Sequence, residues 1–115
     1  SSTWYLPRLI GLRRAQELAL TNRTLSATEA LDWGLVTRIV PAADLEDAAM
    51  TLCRQLAAGP RAAQATVKKL FLSSPDNGLE AQMEIEGRAI ARAAGMPDGV
   101  EGVRAFASGR KAVFE

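Results

Sequence analysis

Only one stretch of this sequence reads as a β-strand. Val36-Thr37-Arg38-Ile39-Val40 is β-branched at four of its five positions and is closed by Pro41, the pattern of a short strand bounded by a breaker. A strand presents unpaired N–H and C=O groups along its edges. No second strand-like run is evident, so its partner is expected outside this chain and the remainder must be built from helices. Pro41 also divides the reading, with helices and the short strand in residues 1–41 and helices alone in 42–115.

The helical segments follow from apolar spacing and from the residues that interrupt it. Leu12, Ala15, Leu18 and Ala19 share one face, Arg13, Arg14, Gln16 and Glu17 lie on others, and Asn22 ends the run. Arg13 and Glu17 stand at the i,i+4 spacing of an ion pair. Ser26-Ala27-Thr28-Glu29 has the spacing of a capping box, and Gly34 is placed to close that short helix in a left-handed conformation. Leu45, Ala48, Ala49, Leu52, Cys53 and Leu56 form a stripe expected to pack on one side, with Cys53 as a small buried residue within it. Gly59-Pro60 opens another helix faced by Ala63, Val67, Leu70 and Phe71. The turn Ser73-Ser74-Pro75-Asp76-Asn77-Gly78 introduces a longer one carrying Leu79, Met83, Ile90 and Ala94. After Gly95-Met96-Pro97, the run Asp98-Gly99-Val100-Glu101 has cap-like spacing before Val103 and Phe106, and a basic tail with a terminal aromatic runs from Gly109 to Glu115.

The available chemistry is narrow. The chain has no histidine and one cysteine, which excludes His-based triads, His-ligated metal sites and an internal disulfide framework. No phosphate-cradling glycine-rich motif is present. No 18-residue apolar run could span a membrane. A net charge of +1 gives no field suited to nucleic acid or an anionic membrane. Alanine fills 21 positions while aromatic residues make up 5% of the chain, so many helix faces bury little apolar area each. Such stripes are expected to pack on another subunit or on a part of the fold beyond this chain.

Three segments, in order, carry a family resemblance: Thr3 with Leu6-Pro7-Arg8-Leu9-Ile10-Gly11; Ser26-Ala27-x-Glu29-Ala30-x-x-Trp33-Gly34-Leu35-Val36; and Glu101-Gly102-Val103-Arg104-Ala105-Phe106 followed by Arg110-Lys111 and Phe114. Together they resemble the C-terminal portion of the crotonase (enoyl-CoA hydratase/isomerase) superfamily. The resemblance implies a mainly α fold, the C-terminal helical part of a crotonase-like α/β fold with one short strand at Val36–Val40. Residues 1–41 would then be the end of the crotonase core and 42–115 a C-terminal helical oligomerisation region.

The same resemblance sets the functional expectations. The family stabilises an enolate of an acyl-CoA thioester with two backbone N–H donors, and such preorganised donors are worth about 10²–10³ each in rate. Those donors and the acid/base carboxylates are expected upstream of Ser1, so no catalytic residue and no metal ligand is assigned within the chain. Its substrate contacts are expected at Thr3, Trp4, Phe106, Arg110 and Lys111, with Lys68 and Lys69 as more distant phosphate candidates. Where some relatives carry a CoA-contacting lysine, this chain has Gly109. The Trp4-Tyr5 pair resembles members acting on phenylacetyl-type substrates. No cofactor beyond the coenzyme A of the substrate is implied. A homotrimer or hexamer in the cytoplasm is expected, serving acyl-CoA and fatty acid metabolism, with no nucleic-acid or membrane partner. A reading from a different class is a stand-alone helical oligomerisation module without chemistry.

Overall fold

A computed structural model describes residues 2–114 of the chain. Its helices are α1 (Ser2–Ile10), α2 (Leu12–Thr21), α3 (Ala27–Asp32), α4 (Leu45–Ala57), α5 (Arg61–Ser73), α6 (Leu79–Ala94) and α7 (Pro97–Ala107), with single 3₁₀ turns at Ala42–Asp44 and Ser74–Asp76. The chain divides into two compact units, Ser1–Ala48 and Ala49–Glu115, the division falling inside α4.

In the first unit α1 packs on α2 across a one-residue hinge. Gly11 makes that hinge at φ 85°, a region in which any side chain would crowd the backbone. Ile10 and Ala15, on either side of it, are buried. The expected stop at Asn22 is present in left-handed geometry, φ 51° and ψ 29°, with its N–H on the Leu18 carbonyl. Asparagine tolerates this region better than other side chains do.

The α3 start and end also follow their sequence signals. Glu29 N–H donates to Ser26 Oγ at 3.2 Å, and Ser26 N–H donates to Glu29 Oε2 at 3.2 Å, a complete capping box. At the other end Gly34 sits at φ 75°. Its N–H donates to the Leu31 carbonyl and Leu35 N–H to the Ala30 carbonyl, so the closure is a Schellman motif that satisfies two otherwise orphaned carbonyls.

Two local expectations in this unit are corrected. Val36–Val40 forms no strand, and no described residue lies in one; β-branched composition favours an extended backbone, but a ladder needs a second edge and the described residues offer none. Glu17 pairs with Arg23 at 2.7 Å rather than with Arg13, because Arg23 reaches back from the turn after α2 and engages Glu29 of α3 as well, at 3.2 Å. Two acceptors on one guanidinium outcompete a lone i,i+4 pair.

In the second unit α5 packs on α6 and α6 on α7. The α6–α7 corner is tight: a Cβ on Gly99 would stand 2.0 Å from the Ala93 carbonyl oxygen, so only glycine fits. Met96, not Asp98, precedes α7, and Pro97 takes its first position, which corrects the cap-like reading of Asp98–Glu101. Proline gives up no hydrogen bond there. Apart from Ala105, apolar positions in this unit keep substantial exposure, including Val67, Phe71, Leu79, Met83 and Ile90. The α4 stripe forms at the expected spacing and stays uncovered: Leu45, Leu52 and Leu56 are exposed, and so is Cys53, against its expected burial. Helical periodicity identifies which side chains share a face; covering that face takes a second surface.

Candidate functional site

The five expected contact residues fall in both units. Thr3 and Trp4 are adjacent on α1 but face different surroundings. Thr3 lines a shallow groove of about 160 Å³ with Leu6, Pro7, Leu12, Ala15 and Ala19. This groove is nearly all apolar and suits an aliphatic or aromatic group. Trp4 does not line it. Its half-buried indole is covered by Arg8, whose Cζ lies 3.8 Å from the ring centroid, and meets Tyr5 edge-on at 4.7 Å. Arg8 also donates to the Trp4 carbonyl at 2.8 Å. The i,i+4 spacing of Trp4 and Arg8 was the available sequence signal for this stack.

In the second unit Phe106 leaves α7 with 90% of its surface exposed, although Ala105 beside it is buried. A phenyl ring so placed is either an interface group or a platform for a planar ligand. Gly109, at φ 62°, then reverses the chain. The turn brings Arg110 onto Glu101 of α7, with Nη1 donating to Oε1 at 2.6 Å and Nη2 to Oε2 at 2.8 Å. Val113 N–H donates to the same Oε1 at 3.0 Å. Three donors on one carboxylate favour its charged form. The Glu101 carboxyl is accordingly held down at about 2, chiefly by Arg110 and next by the Val113 amide, while Arg110 is pushed above its ordinary value by Glu101.

Arg110 and Lys111, adjacent in sequence, are thereby separated in role. Arg110 is neutralised by its carboxylate. Lys111 is exposed and has no ion-pair partner among the described residues. Spacing does not mark Glu101 as the partner of Arg110, because their separation of nine residues matches no helical repeat and depends on the reversal at Gly109.

The distant lysines also part. Lys69 and Arg92 border a groove of about 470 Å³ between α5 and α6, floored by Ala62, Ala63, Ala89 and Ala93. Lys68 is exposed on the outer side of α5 and does not line it. No group of three or more His, Cys, Asp or Glu side chains that could hold a metal ion occurs among the described residues. The chain has no histidine, and Glu101 is engaged by Arg110.

Comparison with known proteins defines the class. The sequence model of the enoyl-CoA hydratase/isomerase family matches residues 1–115, and the chain belongs to that family. It is 41% identical over 108 residues to 4-chlorobenzoyl coenzyme A dehalogenase-1 of an Arthrobacter species, covering 94% of this chain and 39% of that protein. It is 39% identical over 113 residues to 1,2-epoxyphenylacetyl-CoA isomerase of Escherichia coli strain K12, covering 97% and 43%. Among solved structures, the enoyl-CoA hydratase of Bacillus anthracis superposes with a TM-score of 0.87 at 33% identity, covering 97% of this chain and 43% of that one. The mainly helical architecture is thus that of part of a crotonase-type protein, and the chain spans about two-fifths of the length of the curated relatives it matches. None of the described helices is long and apolar enough to cross a membrane.

Proposed function

We propose that this chain is the C-terminal helical portion of an enzyme that acts on an acyl-CoA thioester through an enolate, and that its own part is assembly and closure over the CoA site. The family match along all of residues 1–115 carries the reading. In it, residues 1–41 end the catalytic core and residues 42–115 form the oligomerisation region of a cytoplasmic homotrimer or hexamer. The oxyanion donors and acid/base carboxylates lie outside the 115 residues, and no cofactor is used beyond the coenzyme A of the substrate.

An enolate places negative charge on the thioester oxygen, so the chemistry needs fixed donors there and a carboxylate to move the proton. This chain contributes groups that bind the substrate. Phe106 supplies a bare aromatic face for the nucleotide base, and Lys111 a cation for phosphate. In the first unit, taken by itself, Thr3 and the apolar groove beside it suit an acyl group. An aromatic acyl group is favoured by the Trp4-Tyr5 pair and by the chlorobenzoyl and epoxyphenylacetyl groups in the names of the two relatives.

The test is made on the whole protein that carries this chain, assayed with enoyl-CoA and aromatic acyl-CoA thioesters. Stacking of a base on an aromatic ring is worth ~1–3 kcal/mol. Phe106→Ala should therefore raise KM for the thioester roughly fivefold or more while kcat is retained. Absence of turnover of every CoA thioester would refute the assignment.

A further inference from the structure

Two cations stand side by side on the tail, yet only one is available to an incoming anion. Glu101 takes Arg110 through both guanidinium nitrogens, at 2.6 and 2.8 Å. It takes the Val113 amide with the same carboxylate, at 3.0 Å, and Arg110 Nη1 closes a further bond to the Lys111 carbonyl at 3.2 Å. Lys111 is therefore spanned by contacts: the residue before it is clamped, its own carbonyl is bonded, and the residue two positions on is tethered by its N–H. Beyond the clamp, Phe114 reaches Gly102 of α7, where a Cβ would stand 3.9 Å from the ring. Phe114 also forms one wall of a groove of about 180 Å³ with Pro60, Ala63, Met96 and Gly99.

We infer that Glu101 is the positioning residue of the phosphate contact: it withdraws Arg110 from solution, straps residues 110–113 onto α7 and so stations Lys111 as the cation that meets phosphate. The ligand half of this inference rests on the proposed coenzyme A reading; the strap rests on the geometry alone. Holding a flexible four-carbon side chain at a fixed root lowers the entropy lost when its ammonium binds. Without the strap, a lysine on a loose tail contributes its charge from many positions and little of it at any one.

The experiment is a double-mutant cycle with coenzyme A itself as the probe, on the whole protein that carries this chain, with hydrogen exchange at the Val113 amide followed in parallel. Exposed ion pairs are worth ~0.2–1 kcal/mol, so Lys111→Ala should weaken coenzyme A binding by about 1.4- to fivefold. In a Glu101→Gln background the same change should have almost no effect. Glu101→Gln alone should speed exchange at Val113 by about tenfold or more, while Lys111→Ala leaves it unchanged. Equal Lys111→Ala penalties in both backgrounds overturn the positioning role. A Val113 amide already unprotected in the parent chain overturns the strap, whatever the ligand does. If Val113 is protected and released by Glu101→Gln but coenzyme A is not bound, the strap is sustained and the proposed function is refuted.

Discussion

Gly87 and Gly99 both lie inside helices, and replacing each with alanine should move stability in opposite directions. By intrinsic propensity each change gains about 0.5–1 kcal/mol, since alanine loses less backbone freedom on forming a helix. At Gly87, in the body of α6, a Cβ would meet nothing within 4 Å, so the gain should be realised. At Gly99 it would stand 2.0 Å from the Ala93 oxygen and 2.8 Å from the Ala93 carbonyl carbon. Ordinary contact begins at 3.4 Å, so the encroachment on backbone is 3.4 − 2.0 = 1.4 Å. No rotamer change relieves it, because the atoms struck are main chain. That carbonyl also accepts the Met96 amide at 3.1 Å, so displacing it strains the turn into α7 as well. Overpacking of this kind costs about 1–3 kcal/mol, and the upper part of that range applies. After the propensity gain, Gly99→Ala should be destabilising by about 1–2 kcal/mol and should lie some 2–3 kcal/mol below Gly87→Ala. At roughly 4–8 °C per kcal/mol the two variants should melt at least about 8 °C apart. Thermal and urea unfolding followed by far-ultraviolet circular dichroism measure the difference. A Gly99→Ala chain as stable as the Gly87→Ala chain would show that the α6–α7 corner does not close as described.

Two further outcomes follow from single residues. Ser26→Ala removes the acceptor for the Glu29 N–H and half of the capping box, and should cost about 1 kcal/mol in urea unfolding; an unchanged midpoint would contradict the cap. Glu101, lowered to about 2 chiefly by Arg110, is a depressed carboxyl. Its contribution to holding the tail is complete above the ordinary value of 4.5 and is lost as pH falls through about 2. The carboxyl carbon resonance of Glu101 in an acid titration reads this directly, and a midpoint near the ordinary value would refute the clamp.

Features decided within a few residues were legible in the sequence, and features decided by a surface or a reversal were not. The Ser26–Glu29 box, the stop at Asn22 and the closure at Gly34 each depend on one side chain meeting backbone within a turn or two. The strand expected at Val36–Val40, the expected burial of Cys53 and the pairing of Glu17 each depended on a partner that spacing alone does not name. At the candidate site, an aromatic at position 106 and the basic pair at 110 and 111 were readable by resemblance to a family. Their accessibility was not: Phe106 stands bare beside a buried alanine, and Arg110 is spent on a carboxylate nine positions earlier. A left-handed glycine decides that last pairing, and glycine in a tail carries no directional signal.

The corner between α2 and α3 is fastened in an unusual currency. Arg23 binds Glu17 and Glu29, and both it and Arg14 lie over the Trp33 ring, at 5.2 and 4.9 Å. Ala30 is the only buried residue that α3 contributes there. Charge attraction across partly wet contacts weakens as ions accumulate, whereas apolar contacts such as Ile10 with its neighbours strengthen in excluded salts. Within one small unit, then, the α1–α2 seam and the α2–α3 corner answer the same solvent with opposite signs. Added salt should therefore loosen the α2–α3 corner before it touches the α1–α2 seam.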